Sequence, residues 1–150
     1  MANRELTQQA VRELLTAESL AVLSTQHEGR PYASLVGFAA SEDLRTLVFA
    51  TMRTTRKFSY LTAAPYVALL VDNRSKDTGD FHHAMAVTAT GWVAEAPLRE
   101  YESLLQSYLS KLPHLEEFVR SPNCALVKIT VETYYVVSRF QNVIELHFEL

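Results

Sequence analysis

The segment LVFATMRTTRKFSYL, residues 47–61, changes within a few positions from an apolar run to a basic cluster. Residues 47–50 are typical of a β-strand, whereas residues 51–57 contain three threonines, two arginines and a lysine without an acidic residue. The residues that follow, up to Pro65, favour a short helix. Hydroxyl groups, an arginine fork and a lysine charge beside the free N–H groups of a helix N-terminus suit a dianionic phosphate. The alternative is a basic turn exposed to solvent, which is the commoner fate of a short charge cluster.

The composition of the chain fits a cytoplasmic globular protein of one domain. At 150 residues, with 48% apolar and 21% charged residues, the chain is long enough to bury a core. It has no apolar run long enough to cross a bilayer and no signal-peptide pattern, and its single cysteine, Cys124, fits a reducing compartment. The net charge of −3 argues against a nucleic-acid-binding protein. We therefore expect neither a membrane nor a nucleic acid as a partner.

Apolar periodicity predicts a mainly β chain with a few helices (α+β). Short or alternating apolar runs predict strands at residues 20–25, 32–40, 46–51, 66–71, 83–95, 125–131, 134–140 and 143–150. Helical spacing predicts helices at residues 4–16, 54–64, 97–112 and 115–119. Short turns separate the first three strands, so these strands are expected to form an antiparallel meander. Seven or eight strands in a chain of this length suit a closed barrel.

Single residues within these elements carry more specific predictions. Asn3 is expected to cap the first helix, whose apolar face includes Leu6, and the third helix presents a stripe that begins at Leu98. Gly91 within a long strand indicates a bulge or the close approach of another group. Trp92 is interpreted as sealing the barrel, with stacking on a cofactor as the alternative. One face of the last strand is expected to hold Ile144, Leu146, Phe148 and Leu150.

The sequence lacks the motifs of several self-sufficient catalysts. There is no Gly-x-Ser-x-Gly elbow, Walker loop or Gly-x-Gly-x-x-Gly turn, and the chain has only four glycines. His82 and His83 are neighbours on an extended segment and point to opposite faces, so we predict no metal site. Cys124 begins an apolar strand and is interpreted as a buried small residue. No catalytic residue can be named, and a cofactor is expected to carry any chemistry.

The order of these elements resembles the pyridoxamine 5′-phosphate oxidase-like superfamily. The similarity rests on Phe49-Ala50-Thr51 followed by Thr55-Arg56-Lys57, then a helix and Ala64-Pro65-Tyr66-Val67, and it spans roughly residues 5–140. The resemblance implies a six- to eight-stranded antiparallel split β-barrel that binds FMN, with a few flanking helices and a single domain over residues 1–150. It also implies a homodimer with FMN at the subunit interface.

The resemblance further implies which residues hold the cofactor. The segment that matches the family's phosphate-binding signature comprises Ala50, Thr51, Thr55, Arg56 and Lys57. The strand along the ring and ribityl chain comprises Ala33, Ser34, Leu35 and Val36. Two further segments, 72–75 and 138–143, resemble a single-domain branch of the family and add Asn73, Arg74, Arg139 and Gln141. The alternatives are an ordinary hairpin loop for Asn73 and Arg74, and a strand-end charge and amide at a dimer surface for Arg139 and Gln141.

The expected function is that of an FMN-dependent oxidoreductase acting on an unidentified small molecule. The glutamine that true oxidases carry on a strand falls near Ala86 here, and their C-terminal arginine and histidine have no counterpart. Oxidation of pyridoxamine phosphate is therefore not expected. The alternative is a non-catalytic flavin- or heme-binding protein, such as a carrier, electron-transfer partner or sensor. A third possibility is the same barrel with a deazaflavin or without a cofactor.

Overall fold

The structure is a computed structural model, and it describes residues 2–74, 83–138 and 142–150. The described residues form seven strands: β1 (Leu20–His27), β2 (Arg30–Ala40), β3 (Thr46–Met52), β4 (Tyr66–Asp72), β5 (Met85–Glu95), β6 (Cys124–Ser138) and β7 (Asn142–His147). They also form four α-helices: α1 (Ala2–Ala17), α2 (Arg56–Ala63), α3 (Leu98–Lys111) and α4 (Glu116–Val119). A 3-10 turn, Pro113–Leu115, joins the last two helices.

The strands form one antiparallel sheet that closes on itself. Their order is β3-β2-β1-β4-β5-β6-β7, and an additional pairing between β3 and β6 closes six of them into a barrel with β7 outside it. Closure leaves fewer unpaired strand edges, which would otherwise invite association with other chains. The predicted antiparallel split barrel and the meander of the first three strands are confirmed.

The long strand β6 corrects the sequence prediction, which divided it into strands at 125–131 and 134–140. A single strand runs from Cys124 to Ser138 because different neighbours use its two halves. Its first half pairs with β3, its second half pairs with β7, and β5 pairs along almost its full length. The polar residues in the middle of β6 therefore mark a bulge and not a turn.

The bulge lies opposite Gly91, as the sequence predicts. Thr90 pairs with Thr133 and Gly91 pairs with Val131, so Glu132 is the additional residue of β6. A Cβ atom at Gly91 would lie 2.2 Å from the carbonyl oxygen of Thr130, which only a glycine avoids. The extra residue shifts the side-chain alternation by one position, and both halves of β6 thereby direct apolar side chains into the barrel.

The first helix covers one end of the barrel with its C-terminal half. Val11, Leu14 and Leu15 are buried in the main core. Leu6, which was predicted on the same face, is 70% exposed. The predicted cap at Asn3 is also wrong, since the helix begins at Ala2 and Asn3 lies within it.

The third helix packs on the outside of the barrel over β3 and the first half of β6. Leu105, Tyr108 and Leu112 are buried there in a second apolar cluster with residues of both strands. Leu98 is 93% exposed, so the buried stripe does not begin at that residue as predicted. The helix thereby brings Tyr108 close to the strand-to-helix junction at the end of β3.

The outer face of β4, β5 and the second half of β6 carries exposed aromatic side chains. Trp92 is 48% exposed and packs against Tyr66, with 4.8 Å between ring centroids. The interpretation that Trp92 seals the barrel is therefore wrong, because the alternation of β5 directs it outward. The predicted last strand also ends early, at His147, and leaves Ile144 and Leu150 exposed although Leu146 and Phe148 are buried.

Candidate functional site

Four of the five predicted phosphate-binding residues line a cavity where β3 leads into α2. The cavity has a volume of about 210 Å³ and lies between β2, β3, α2 and the helices packed outside the barrel. Six of its lining residues were predicted from the sequence: Leu35, Val36, Ala50, Thr51, Thr55 and Lys57. Five were not predicted: Gly37, Met52, Tyr108, Leu115 and Phe118.

Two threonine hydroxyls meet on one side of this cavity. The Oγ1 atoms of Thr51 and Thr55 lie 3.1 Å apart, and the Thr55 hydroxyl lies 2.9 Å from the Met52 carbonyl oxygen, to which it donates. Thr51 is almost completely buried, since β6 and the barrel core enclose it. A buried hydroxyl that lines a cavity retains the capacity to bond a polar ligand.

Thr55 also fixes the start of α2. It is the N-cap residue, with φ −82° and ψ 156°, and its Oγ1 atom accepts a hydrogen bond from the Phe58 N–H at 3.3 Å. The backbone N–H groups of Arg56 and Lys57 belong to the first turn, where a helix provides no acceptor of its own. The positive end of the helix dipole therefore lies beside the cavity.

The charge of Lys57 is the main electrostatic feature of the cavity. Burial lowers the pKa of Lys57, because the ammonium group is partly removed from water without a compensating anion. No acidic side chain in the part of the chain that the structure describes forms an ion pair with Lys57 or Arg56. Arg56 does not line the cavity, and its guanidinium carbon lies 5.7 Å from the ring centroid of Tyr32 on β2.

Arg53, the third cation of this segment, is engaged elsewhere. Its two terminal nitrogens donate to both carboxylate oxygens of Glu95, at the end of β5, with 2.8 Å between Nη2 and Oε2. This hydrogen bond holds the pKa of the Glu95 carboxyl below its usual value. The pair attaches the end of β3 to the end of β5 and leaves Arg56 and Lys57 as the cations available to an anion.

The second strand connects this cavity with a larger one. Leu35 is 63% exposed and lines both cavities, so they are adjacent on the outer face of β2. Ala33 is exposed on the same strand, whereas the Oγ atom of Ser34 is buried and has no hydrogen-bond partner among the described residues. The predicted segment 33–36 thus presents side chains to both faces of the sheet.

The larger cavity has a volume of about 640 Å³ and lies against β1, β2 and β4. Its walls are mostly apolar, with Leu20, Val22 and Leu70 among them, and its charged lining residues are Glu18, Asp72 and Arg74. The Nε atom of Arg74 lies 3.1 Å from Oδ2 of Asp72. One side of the Arg74 guanidinium is thereby held at the end of β4.

Asn73 lies beside Arg74 but uses its side chain within the loop. Its Nδ2 group donates to the carbonyl of His83 at 2.8 Å, and its Oδ1 atom accepts from the N–H of Met85 at 2.9 Å. These bonds join the two ends of the β4–β5 connection, which is the role expected from the hairpin alternative. Asn73 is not among the residues that line either cavity.

Two predicted residues, Arg139 and Gln141, lie outside the described residues, and so does His82 of the histidine pair. Among the side chains that are described, no group of three His, Cys, Asp or Glu residues is arranged to hold a metal ion. None of the helices formed by the described residues has the length and apolar character needed to cross a lipid bilayer.

The lining residues that sequence reasoning missed come from elements distant in the chain. Tyr108 was predicted only as part of an apolar stripe, and no local pattern indicates that α3 packs beside the end of β3. Gly37 allows a close approach, since a Cβ atom there would lie 3.0 Å from Cδ1 of Leu112. A contact of this kind depends on the register between a strand and a helix that are far apart in sequence.

Comparison with solved structures shows the same fold in proteins of low sequence identity. A heme binding protein from Mycobacterium smegmatis has a TM-score of 0.83 at 14% identity, over 93% of this chain and 57% of that protein. An FAD-binding protein from Mesorhizobium loti has a TM-score of 0.67 at 22% identity, over 83% and 88% of the two chains. General Stress Protein 26 from Bacillus anthracis str. Sterne has a TM-score of 0.71 at 17% identity, over 95% and 98%.

The chain thus spans little more than half the length of the mycobacterial protein, whereas it matches nearly the whole of the stress protein. No curated protein sequence matches the chain. A sequence model of the pyridoxamine 5′-phosphate oxidase family matches residues 7–138, which include the barrel and both cavities. The chain is a member of the pyridoxamine 5′-phosphate oxidase family, which adopts the split-barrel fold described here.

Proposed function

We propose that this protein binds FMN and acts as a flavin-dependent oxidoreductase on a small molecule. The observation that carries the proposal is the partly buried charge of Lys57 at the N-terminus of α2, beside two threonine hydroxyls. Lys57 forms no ion pair with the side chains that the structure describes. A buried cation without an anion is unfavourable by itself, so this arrangement fits a site completed by a bound anion.

The FMN phosphate is the group that fits the smaller cavity. The first-turn N–H groups of α2 and the hydroxyl of Thr51 are the donors available to this phosphate, because the Thr55 hydroxyl already donates to the Met52 carbonyl. Lys57 supplies charge from within the cavity. Arg56 provides a second cation at the rim. A dianion held this way relieves the burial cost of Lys57, which a neutral ligand cannot do.

The remainder of FMN extends along β2 toward the larger cavity. Leu35 belongs to both cavities and therefore lies on the path between them, next to Ala33. The apolar walls of the larger cavity exclude water from a flat ring, and Arg74 is a hydrogen-bond donor at its edge. The flavin itself supplies the transfer of hydride or electrons.

The proposed active form is a homodimer with the cofactor at the subunit interface. The outer face of the barrel that α3 does not cover exposes several large apolar side chains, namely Leu20, Leu35, Tyr66, Trp92 and Tyr135. Several large exposed apolar side chains on one face are typical of a surface that associates with another protein. A second copy would also enclose the larger cavity, which is open on this face.

Binding without catalysis is the second candidate function. The described titratable residues that line the larger cavity are Glu18, Asp72 and Arg74, and Arg74 is already paired with Asp72. The solved structures with this fold include a protein described as heme binding and one described as FAD-binding. A carrier or electron-transfer protein for flavin or heme would need no acid or base beside the cofactor.

The test of the cofactor is retention of FMN by the double variant Arg56→Ala/Lys57→Ala. Loss of two charge-assisted contacts is expected to weaken binding by about 100-fold or more, as measured by fluorescence titration of the flavin. The matched control is Arg53→Ala, which removes a cation of the same segment that is paired with Glu95 and is expected to change the affinity only slightly. If the double variant and Arg53→Ala lose FMN affinity equally, Arg56 and Lys57 do not bind the phosphate.

Riboflavin separates phosphate recognition from ring recognition. It lacks the phosphate and is expected to bind much more weakly than FMN, and the double variant should not weaken it further. Turnover with a panel of electron donors and acceptors then distinguishes an oxidoreductase from a carrier. If the purified protein binds heme and does not bind FMN, FMN is not the cofactor, although the fold is unaffected by this result.

Sedimentation velocity tests the dimer. Trp92→Lys places a charge on the uncovered face and is expected to shift the protein toward monomer. Leu98→Lys alters a more exposed apolar residue on α3, away from that face, and should leave the dimer intact. A wild-type protein that is monomeric at micromolar concentration with FMN bound would contradict the proposed interface.

A further inference from the structure

Tyr108, on α3, has a hydroxyl group that the fold does not use. The residue is only 1% exposed, and its ring belongs to the apolar cluster between α3, β3 and the first half of β6. Its hydroxyl forms no hydrogen bond with any other residue in the part of the chain that the structure describes. A tyrosine hydroxyl usually has a partner when it is buried, because enclosing a polar group without one costs free energy. The hydroxyl of Tyr108 therefore indicates a partner from outside the chain.

A second buried tyrosine shows the usual arrangement. Tyr134 is as deeply buried as Tyr108, and its hydroxyl donates to the carbonyl oxygen of Leu44 at 2.6 Å. The fold uses the hydroxyl of Tyr134 to hold the turn before β3, whereas the hydroxyl of Tyr108 holds nothing among the described residues. Tyr134 is thus a matched control for the role of Tyr108.

The hydroxyl end of Tyr108 lies at the end of β3, beside the smaller cavity. Burial raises the pKa of Tyr108 to about 12, and the neighbouring thiol of Cys124 adds to the rise. Cys124 pairs with Met52 of β3, and Met52 and Tyr108 both line the smaller cavity. The described side-chain polar atoms that are fully enclosed without a partner are Oγ of Ser34 and Oγ1 of Thr90. The oxygen of Tyr108 is not one of them, so it retains some surface, which fits a hydroxyl that faces the cavity.

We propose that the hydroxyl of Tyr108 donates a hydrogen bond to the phosphate group bound in the smaller cavity, an inference that rests on the proposed phosphate site. The raised pKa keeps the proton on this oxygen at neutral pH, so the group is a donor whenever the site is occupied. A hydrogen bond to an ionised phosphate is stronger than one between neutral groups. The anion is then bound by residues of β3, α2 and α3, and its binding satisfies the hydroxyl that the fold leaves without a partner.

Packing alone does not explain a tyrosine at this position of α3. Leu105 and Leu112, one turn away on either side, are buried in the same cluster and have only apolar side chains. A phenylalanine at position 108 would fill the same space without the cost of burying a hydroxyl. The hydroxyl is therefore best explained by a polar ligand.

The experiment compares Tyr108→Phe with Tyr134→Phe, and measures FMN and riboflavin affinity by fluorescence titration and stability by urea denaturation. Tyr108→Phe loses one hydrogen bond to a charged group, so FMN binding should weaken by about tenfold or more, whereas riboflavin binding should not change. Without a ligand, this variant should unfold at the same urea concentration as the wild type or a higher one. Tyr134→Phe should unfold at a lower urea concentration, because the Leu44 carbonyl loses its donor, and should bind FMN as the wild type does.

The results distinguish a failure of this inference from a failure of the phosphate site. If the wild type binds FMN and riboflavin equally, the cavity holds no phosphate and both proposals are wrong. If the wild type prefers FMN, Arg56→Ala/Lys57→Ala loses this preference and Tyr108→Phe keeps it in full, the phosphate site stands and Tyr108 is not part of it. A Tyr108→Phe protein that is less stable than the wild type without FMN would also overturn the inference, because its hydroxyl would then have a partner within the chain.

Discussion

Replacement of Thr55 by valine is expected to destabilise the fold and the candidate site together. The Thr55 hydroxyl makes three contacts: it donates to Met52, accepts from the Phe58 N–H and lies 3.1 Å from the Thr51 hydroxyl. Valine has nearly the same shape but no hydroxyl, so the substitution removes these contacts without opening a cavity. The change in stability then measures polar interactions alone.

The magnitude follows from two of these contacts. Loss of the N-cap bond costs about 1 kcal/mol. Thr51 is only 1% exposed, and without Thr55 its hydroxyl retains a single contact of 3.5 Å to the Met52 carbonyl, so stranding it costs about 1–3 kcal/mol more. The combined loss is about 2–4 kcal/mol. Thr55→Ser keeps the hydroxyl and should lose less than about 1 kcal/mol.

Urea denaturation of the two Thr55 variants tests these estimated losses of stability. With a slope of about 1–3 kcal/mol per molar urea, the valine variant should unfold at a midpoint lower by about 1 M or more, and the serine variant should remain near the wild type. If Thr55→Val unfolds at the same midpoint as Thr55→Ser, the hydroxyl pair does not stabilise this junction. If Thr55→Val binds FMN more weakly and Thr55→Ser does not, the hydroxyl pair also contributes to FMN binding.

Two further predictions concern the bulge and the cavity lysine. Gly91→Ala places a Cβ atom 2.2 Å from the Thr130 carbonyl oxygen, and because backbone must move it should cost about 3 kcal/mol or more by urea denaturation; a loss below about 1 kcal/mol would show that the bulge yields easily. Lys57 has a pKa lowered by burial, and a bound phosphate restores the charged form and raises this pKa. FMN binding then takes up a proton between the two pKa values, so affinity should fall as pH rises through the pKa of the free protein. A Lys57→Met variant should lack this fall, and an identical pH profile in both proteins would contradict the assignment.

The features that the sequence predicted well are those set by local geometry. The alternation of apolar residues located the strands of the barrel, although it divided β6 in two, and Gly91 indicated a bulge or a close approach because a glycine inside a strand often marks one of these. The junction from β3 to α2 was likewise visible, since three threonines, three cations and a change of periodicity occur within a few residues. Local chemistry of this kind needs no knowledge of the rest of the fold.

The features that the sequence predicted poorly depend on contacts with elements that are distant in the chain. β6 is continuous because β3 and β7 use its two halves, and neither partner is visible from the polar residues in its middle. Trp92 points outward because β5 alternates, and its pairing with β4 and β6 places the opposite set, Val87, Ala89 and Val93, in the core. Tyr108 lines the smaller cavity only because α3 crosses the outside of β3. Register and packing between separate elements decide all three positions.

The three cations of the segment from residue 51 to residue 57 show why residue type alone does not define a binding site. Arg53 is neutralised by Glu95, which lies 42 positions away in the sequence. Arg56 lies against the ring of Tyr32 at the rim, and Lys57 is drawn into a cavity where its charge is poorly solvated. A phosphate is attracted most by the charge that the fold has left least satisfied. We therefore propose Lys57 as the central cation of this site, with Arg56 in support.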